Sequence, residues 1–361
     1  MKQALKKSFL QCIFLFASAS VVAQQTWPSP EVAQMYRHAQ EYSSLGNIKD
    51  AIIVYKQAIL LAPGETILYK GFARALYAEG NFSEAEQTLN PLLAKHVADT
   101  GCYLLLAECQ AAQKEMKAAK NTIKKGLLQF PGSGALYNER GKIYNADADS
   151  AAALTAWLDG IQKDPTFAEN YHHAALAYLA SQSIDWGLLY GEMYLDMQRD
   201  NTTGDEALKK KIFIAYKTMF DNIAAHEVTS YGKVETRGNA ATFLDAVRQV
   251  YTSLTPVVSD GITTENLVMA RTRFLMDWFA GYDNRYPFSL FRYMDELVKS
   301  GHFEIYNEWL FGKAENEQQY KAWDTFHEGD ISRFLAWRKM HFLSPNTGDF
   351  YNDKDIHNIL K

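Results

Sequence analysis

The chain has 361 residues, 47% of them hydrophobic and 22% charged, with a formal net charge of -5 at pH 7. Those values belong to an ordinary globular protein of roughly two domains and exclude disordered, collagen-like and mucin-like chains. No broad basic field exists, so a nucleic-acid partner is not expected.

The first residues carry Lys2, Lys6 and Lys7, then an apolar run from Phe9 to Ala17, then Val21-Val22-Ala23. That order predicts a secretory signal over residues 1–23, cleaved after Ala23, and a short linker over 24–31. Two alternatives are weaker. An uncleaved anchor would need a longer apolar run, and lipidation at Cys12 would need a better lead than Phe9-Leu10-Gln11. The expectation is an exported, periplasmic soluble chain with no transmembrane segment after signal removal. Cys102 and Cys109 then remain, and on one helix seven residues apart they stand about 10 Å from each other, too far to bridge.

From residue 32 the sequence repeats. Pro63, Pro131 and Pro165 fall at multiples of 34 from one another, with Val97 in the vacant place. With repeats starting at 32, 66, 100, 134 and 168, the eighth positions are Ala39, Ala73, Ala107, Gly141 and Ala175. The twentieth are Ala51, Ala85, Ala119, Ala153 and Gly187. Small residues at both places let two antiparallel helices cross closely within each unit. Position four holds Met35, Tyr69, Tyr103, Tyr137 and Tyr171, and position eleven holds Tyr42, Leu76, Gln110, Tyr144 and Tyr178, which together form a stripe at helical spacing. Gly46-Asn47 and Gly80-Asn81 sit where the turn needs a left-handed residue, and the prolines stop each second helix.

The small eighth and twentieth positions and the terminal proline resemble the tetratricopeptide repeat family over residues 32–199. The resemblance implies an all-α superhelix of about five helical hairpins and says little about ligand. Repeat five departs from it, with Gly187 and Gly191 in its second helix and Arg199 in place of proline.

Residues 200–361 leave the register but stay helical in pattern and form an expected aromatic-rich C-terminal domain. Helices are expected over 207–225, 240–254, 265–279, 289–298, 302–310, 318–326 and 331–341. Asn239, Thr264 and Asp330 are the expected caps, and Gly281, Gly301, Gly312 and Gly329 the expected helix ends. Trp278, Trp309, Trp323 and Trp337, with the Phe and Tyr residues between them, are expected as core, the alternative being a partly open groove for sugars or peptide side chains.

Catalytic and metal signatures are missing. His226-Glu227 does not continue as a zinc-binding run, and Gly232-Lys233-Val234 lacks the rest of a phosphate loop. His172-His173 diverge by about 100 degrees on a helix and are expected as surface and groove residues rather than metal ligands. His327-Glu328-Gly329-Asp330 reads as a helix stop followed by a cap. No cofactor and no enzymatic activity are expected.

In the resembled family the inner surface is lined by the first helix of each repeat at positions 2, 5, 9, 12 and 13. Carried over, these are Tyr36 and Gln40; Lys70, Arg74 and Tyr77; Leu104 and Glu108; Asn138, Lys142 and Asn145; and His172. Lys70 and Arg74, one turn apart, could hold a carboxylate, and Asn138 and Asn145 an extended backbone. The expectation is a scaffold that binds a protein or peptide with an acidic or carboxylate-ended segment through its concave face. The alternative is a carbohydrate or cell-wall binding accessory that uses the aromatic C-terminal half.

Overall fold

Side-chain oxygens of Ser29, Asp99 and Ser133 accept hydrogen bonds at the helix starts of the first, third and fourth repeats, and a proline or a left-handed residue follows the second helix of the first four. The computed structural model describes residues 27–181, 183–199, 205–229, 242–348 and 350–351. Residues 1–26, Gly232-Lys233-Val234 and Asn239 lie outside them, and so does the expected signal. The chain divides into two compact units, Met1–Glu79 and Gly80–Lys361.

The first unit holds α1 (Pro30–Ser44), α2 (Ile48–Leu61) and α3 (Thr66–Glu79). Ser29 Oγ accepts from the Val32 amide to cap α1, and Pro30 occupies its first turn. Ala39, Ala51 and Ala73 are fully buried, as close crossing requires. Val32, Ala58, Ala62 and Leu68 form a small core, with Trp27, Met35, Tyr36 and Ile59 packed on it. Tyr42, expected in the apolar stripe, is instead exposed.

In the second unit come α4 (Phe82–Ala94), α5 (Thr100–Ala112), α6 (Met116–Gln129), α7 (Gly134–Ala146), α8 (Ser150–Lys163), α9 (Ala168–Leu179) and α10 (Ile184–Met197). Asp99, Ser133 and Asp149 cap α5, α7 and α8 through their side chains. Ala85, Ala107, Ala119, Ala153 and Ala175 are fully buried. The prolines stand just past the helix ends, Pro131 after α6 and Pro165 after α8. Gln110, the one polar residue of the stripe, is buried and satisfied, donating to Glu86 at 2.9 Å and accepting from Thr122 at 2.8 Å. Cys102 and Cys109 are buried free thiols, and burial pushes Cys109 up to about 12, with Glu108 and Glu86 adding to it.

The left-handed turn between the two helices of a repeat recurs through the first four repeats, although glycine does not. Gly46 and Gly80 have φ of +79° and +84°, and at the same repeat position Lys114 and Ala148 adopt +64° and +58°. Side chains are strained there.

The last repeat changes character because its second helix is buried on nearly every side, from Asp185 to Asp196. Gly191 leaves room for a close neighbour, since a Cβ there would stand 2.9 Å from Ile212 Cδ1 on α11 (Glu206–Thr229). The core is therefore continuous from Ala153 to Leu343. It takes in α12 (Phe243–Thr252), a 3-10 turn (Thr255–Val258), α13 (Thr264–Gly281), α14 (Ser289–Lys299) and α15 (Phe303–Asn307). A π-turn (Glu308–Gly312) leads into α16 (Lys313–Glu315), followed by α17 (Glu317–Phe326) and α18 (Glu328–Met340). Lys209 donates to the Trp309 carbonyl in the π-turn at 2.9 Å and lies 3.7 Å from that ring's centroid.

Several expected boundaries move. Thr263, not Thr264, caps α13, its hydroxyl accepting from Asn266 at 3.1 Å. Asp330 lies in the first turn of α18, which begins after His327, and pairs with the His327 ring at 3.2 Å. Gly312 and Gly329 lie within helical turns rather than at helix ends, because local bonding carries the chain through them. Gly301 does end α14, with φ of +73°. Trp278, Trp309, Phe274, Phe288, Phe291 and Tyr306 are core, while Trp323 and Trp337 are partly exposed.

Inside this core lies a charged network. Glu192 and Asp196, one turn apart on α10, are fully enclosed. Glu192 accepts from Tyr216 at 2.7 Å, Tyr306 at 3.3 Å and Arg271, while Tyr306 also donates to Asp196 at 2.8 Å. Arg271 also donates to Asn307, and Arg338 donates to the Leu195 carbonyl. Burial raises Glu192 against the pull of Arg271, and it pushes Asp196 up to about 7, against Arg338 and with help from Glu192.

Candidate functional site

The expected binding residues all lie on the first helices of the repeats, and they fall into two sets, one in each unit. On α1, Gln40 donates to the Tyr36 hydroxyl at 2.8 Å, and the Tyr36 ring stands 4.9 Å from Trp27 and 6.2 Å from Tyr55. On α3, Lys70 and Tyr77 are half-buried and Arg74 is exposed. Burial pushes the Tyr55 hydroxyl up to about 12, reinforced by Tyr36 and opposed by the Arg74 guanidinium. This set offers cations beside phenol rings.

In the second unit α5 lies beside α7, and α7 beside α9, so successive first helices share a face. Leu104 and Glu108 on α5 are half-buried. On α7, Asn138 is only 8% exposed, and its side-chain Nδ2 has no acceptor among the described residues. Lys142, exposed one turn further on, donates to Glu139 at 2.5 Å, and Asn145 is exposed beyond it. On α9, His172 is half-buried, with its Nε2 3.3 Å from Asp205 Oδ2 and its ring 4.5 Å from Tyr194.

His173, read from sequence only as a companion of His172, belongs to the same neighbourhood. Its ring stacks on Trp157 at 5.0 Å, and Trp157 Nε1 donates to the Asn138 carbonyl at 3.3 Å. Burial pushes His173 down to about 4, with His172 and Lys142 adding to the shift. The two imidazoles stand 5.4 Å apart and stack on different partners, which accounts for their divergence from a shared metal geometry. Among the described residues, no group of three or more His, Cys, Asp or Glu could hold a metal ion.

Glu139, Trp157, Tyr194 and Asp205 escaped the sequence reading. Glu139 and Trp157 stand outside the inherited positions, and Asp205 arrives from the segment after the repeats. Only the period-34 register could have pointed to Glu139, as the neighbour one turn before Lys142.

Residues 44–100 match the model of the tetratricopeptide repeat family. No curated protein matches the chain. Among solved structures, a thermophilic tetratricopeptide-repeat protein of Thermus thermophilus is similar at 18% identity and a TM-score of 0.42, over 51% of this chain and 98% of that one. A tetratricopeptide repeat protein of Parabacteroides merdae is similar at 12% identity and a TM-score of 0.40, over 76% of this chain and 99% of that one. A third, YrrB, described as a tetratricopeptide-repeat protein with an unusual peptide-binding site, has 16% identity and a TM-score of 0.34, over 46% of this chain and 86% of that one. Among the described residues, no helix is long and apolar enough to cross a membrane. The family match over 44–100 and the paired helices at a 34-residue period identify tetratricopeptide repeats in this chain.

Proposed function

We propose that the protein is a non-enzymatic scaffold whose repeats, residues 32–199, bind peptide segments on their first-helix faces, each unit by its own set of residues, with residues 200–361 as a helical domain that follows the repeats. The buried Asn138 amide without an acceptor carries this reading. A polar group nine-tenths buried beside an exposed lysine and a half-buried imidazole is a costly arrangement, and a peptide carbonyl would satisfy it. Lys70 and Arg74 are the cations proposed to take an acidic side chain or a terminal carboxylate. The chain is further proposed to be exported, with the mature form starting at Gln24, which terminal sequencing of secreted protein tests.

Capture from periplasmic extract provides the test. Wild type, Lys70→Glu/Arg74→Glu and Asn138→Ala are compared, with melting temperatures as the control for folding. The double variant should lose the captured partner; Arg74 is exposed and contributes little to folding, and the melting temperature reads any cost at the half-buried Lys70. Asn138→Ala should weaken capture by roughly tenfold, about the contribution of one hydrogen bond. Equal capture by all three proteins would move the site away from this face.

A further inference from the structure

A second feature lies off that face. Between α6 and α7 the second unit holds a cavity of about 630 Å3. Its two walls have matching helical spacing. From α6 come Lys117, Lys120 and Lys124, and from α7 come Tyr137, Arg140 and Tyr144, each set at i, i+3 and i+7. Each row runs about 10 Å along its helix.

The charge is one-sided. No carboxylate lines the cavity, and α6 carries four lysines and no acid in a chain that is acidic as a whole. Lys120 pairs with Asp147 and lies 4.7 Å from the Tyr144 ring centroid, while Arg140 pairs with Asp159 at 3.6 Å and faces the same ring at 5.7 Å. Lys117 and Lys124 are exposed, and among the described residues neither makes an ion pair. Lysines three and four residues apart repel each other on a helix, and a bound anion relieves that repulsion.

Size and wall chemistry narrow the ligand. A space of this volume suits a small molecule, and an extended polymer would overrun its length. A row of three lysines facing one arginine between two phenol rings suits negative groups at both ends of a hydroxyl-rich body. We propose that the α6–α7 cavity binds a compact sugar phosphate carrying two or more phosphate groups about 10 Å apart. The phosphates would meet Lys117 and Lys124 across from Arg140, and the ring would lie against Tyr137. This site is independent of the peptide-binding reading, because none of these residues is among those proposed to hold a peptide.

Titration calorimetry of the full mature chain tests the proposal, with a hexose bisphosphate, the monophosphate and the unphosphorylated hexose as probes. The bisphosphate should bind tightest, and its affinity should fall at least tenfold between about 0.05 and 0.5 M salt, as exposed charges are screened. Lys117→Glu/Lys124→Glu should weaken it by at least tenfold with an unchanged melting temperature. The charge-matched control Lys95→Glu/Lys125→Glu, on exposed lysines outside the cavity lining, should stay within about twofold. A vesicle arm separates sources of the same chemistry. Uptake on vesicles containing an inositol phosphate lipid, competed by the soluble bisphosphate, assigns the headgroup of a lipid; no uptake, with solution binding intact, assigns a free sugar phosphate. Equal affinity for the bare hexose, equal loss in the control pair, or tighter binding of an oligo-aspartate peptide would overturn the assignment.

Discussion

Ala148 and Lys114 hold a backbone conformation that their side chains resist, at the turn where earlier repeats place glycine. Both residues are exposed, so replacement disturbs no packing. Ala148→Gly should raise stability by roughly 0.5 kcal/mol, the strain relieved less the added freedom of the unfolded chain, and Lys114→Gly should add a similar amount. Urea midpoints of the single and double variants check this, and a fall in both midpoints would contradict it. A second prediction concerns Asp196, which is faced by Arg338, Glu192, Tyr306 and Arg271. Its carboxyl is raised to about 7 in the folded state, so the folded protein favours its protonated form. That contribution is full below pH 4 and is lost as pH rises through 7. Asp196→Asn should therefore gain on wild type between pH 4.5 and 7.5, compared by urea midpoints. A gap that stays constant across that range would mean that Asp196 titrates normally.

At the scale of the helix, the small residues decide how closely elements approach. Ala107 and Ala119 are fully buried at the crossing of α5 and α6, so Ala107→Leu or Ala119→Leu should destabilise by about 1–3 kcal/mol. Thermal melts read this, and an unchanged midpoint in both would contradict the close crossing. These positions were legible in the sequence because a crossing repeated every 34 residues leaves the same small residue each time. Irregular packing leaves no such trace. Gly191 broke the register to admit α11, and that reason is invisible until Ile212 is seen beside it. The C-terminal helices were legible as helices, but their starts shifted wherever a neighbouring threonine or histidine supplied the turn, as at Thr263 and His327. On the first-helix face, the register gave the positions of Asn138, Lys142 and His172. It could not give their partners, since Asp205 comes from outside the repeats. The α6–α7 cavity escaped for a related reason: its lysines lie on a second helix, where the family's binding positions do not fall.

Across the second unit, the buried charges join stretches of chain that are far apart. In the repeats, a bond such as Gln110 to Glu86 spans 24 residues, whereas Arg271 to Glu192 spans 79, Tyr306 to Asp196 spans 110 and Arg338 to Leu195 spans 143. Hairpins closed by short loops lose little chain entropy as they form, while the network requires distant segments to meet first. α4 to α8 should therefore acquire structure early and open piecemeal, and α10 to α18 should assemble late and open as one block. Arg271→Leu leaves Glu192 buried without its cation and should destabilise that block by about 3–5 kcal/mol. Hydrogen exchange followed by mass spectrometry should then show lost protection in α10, α13, α15 and α18 together, with α5 to α7 retaining theirs. Uniform loss over all these helices would mean that the unit folds as a single cooperative body. With selective loss, the same network that fixes the C-terminal helices also sets the order of events during synthesis: the repeats up to α8 emerge first and stand complete, while α10 keeps an acidic, unfilled flank until α18 has left the ribosome and brought Arg338 to it.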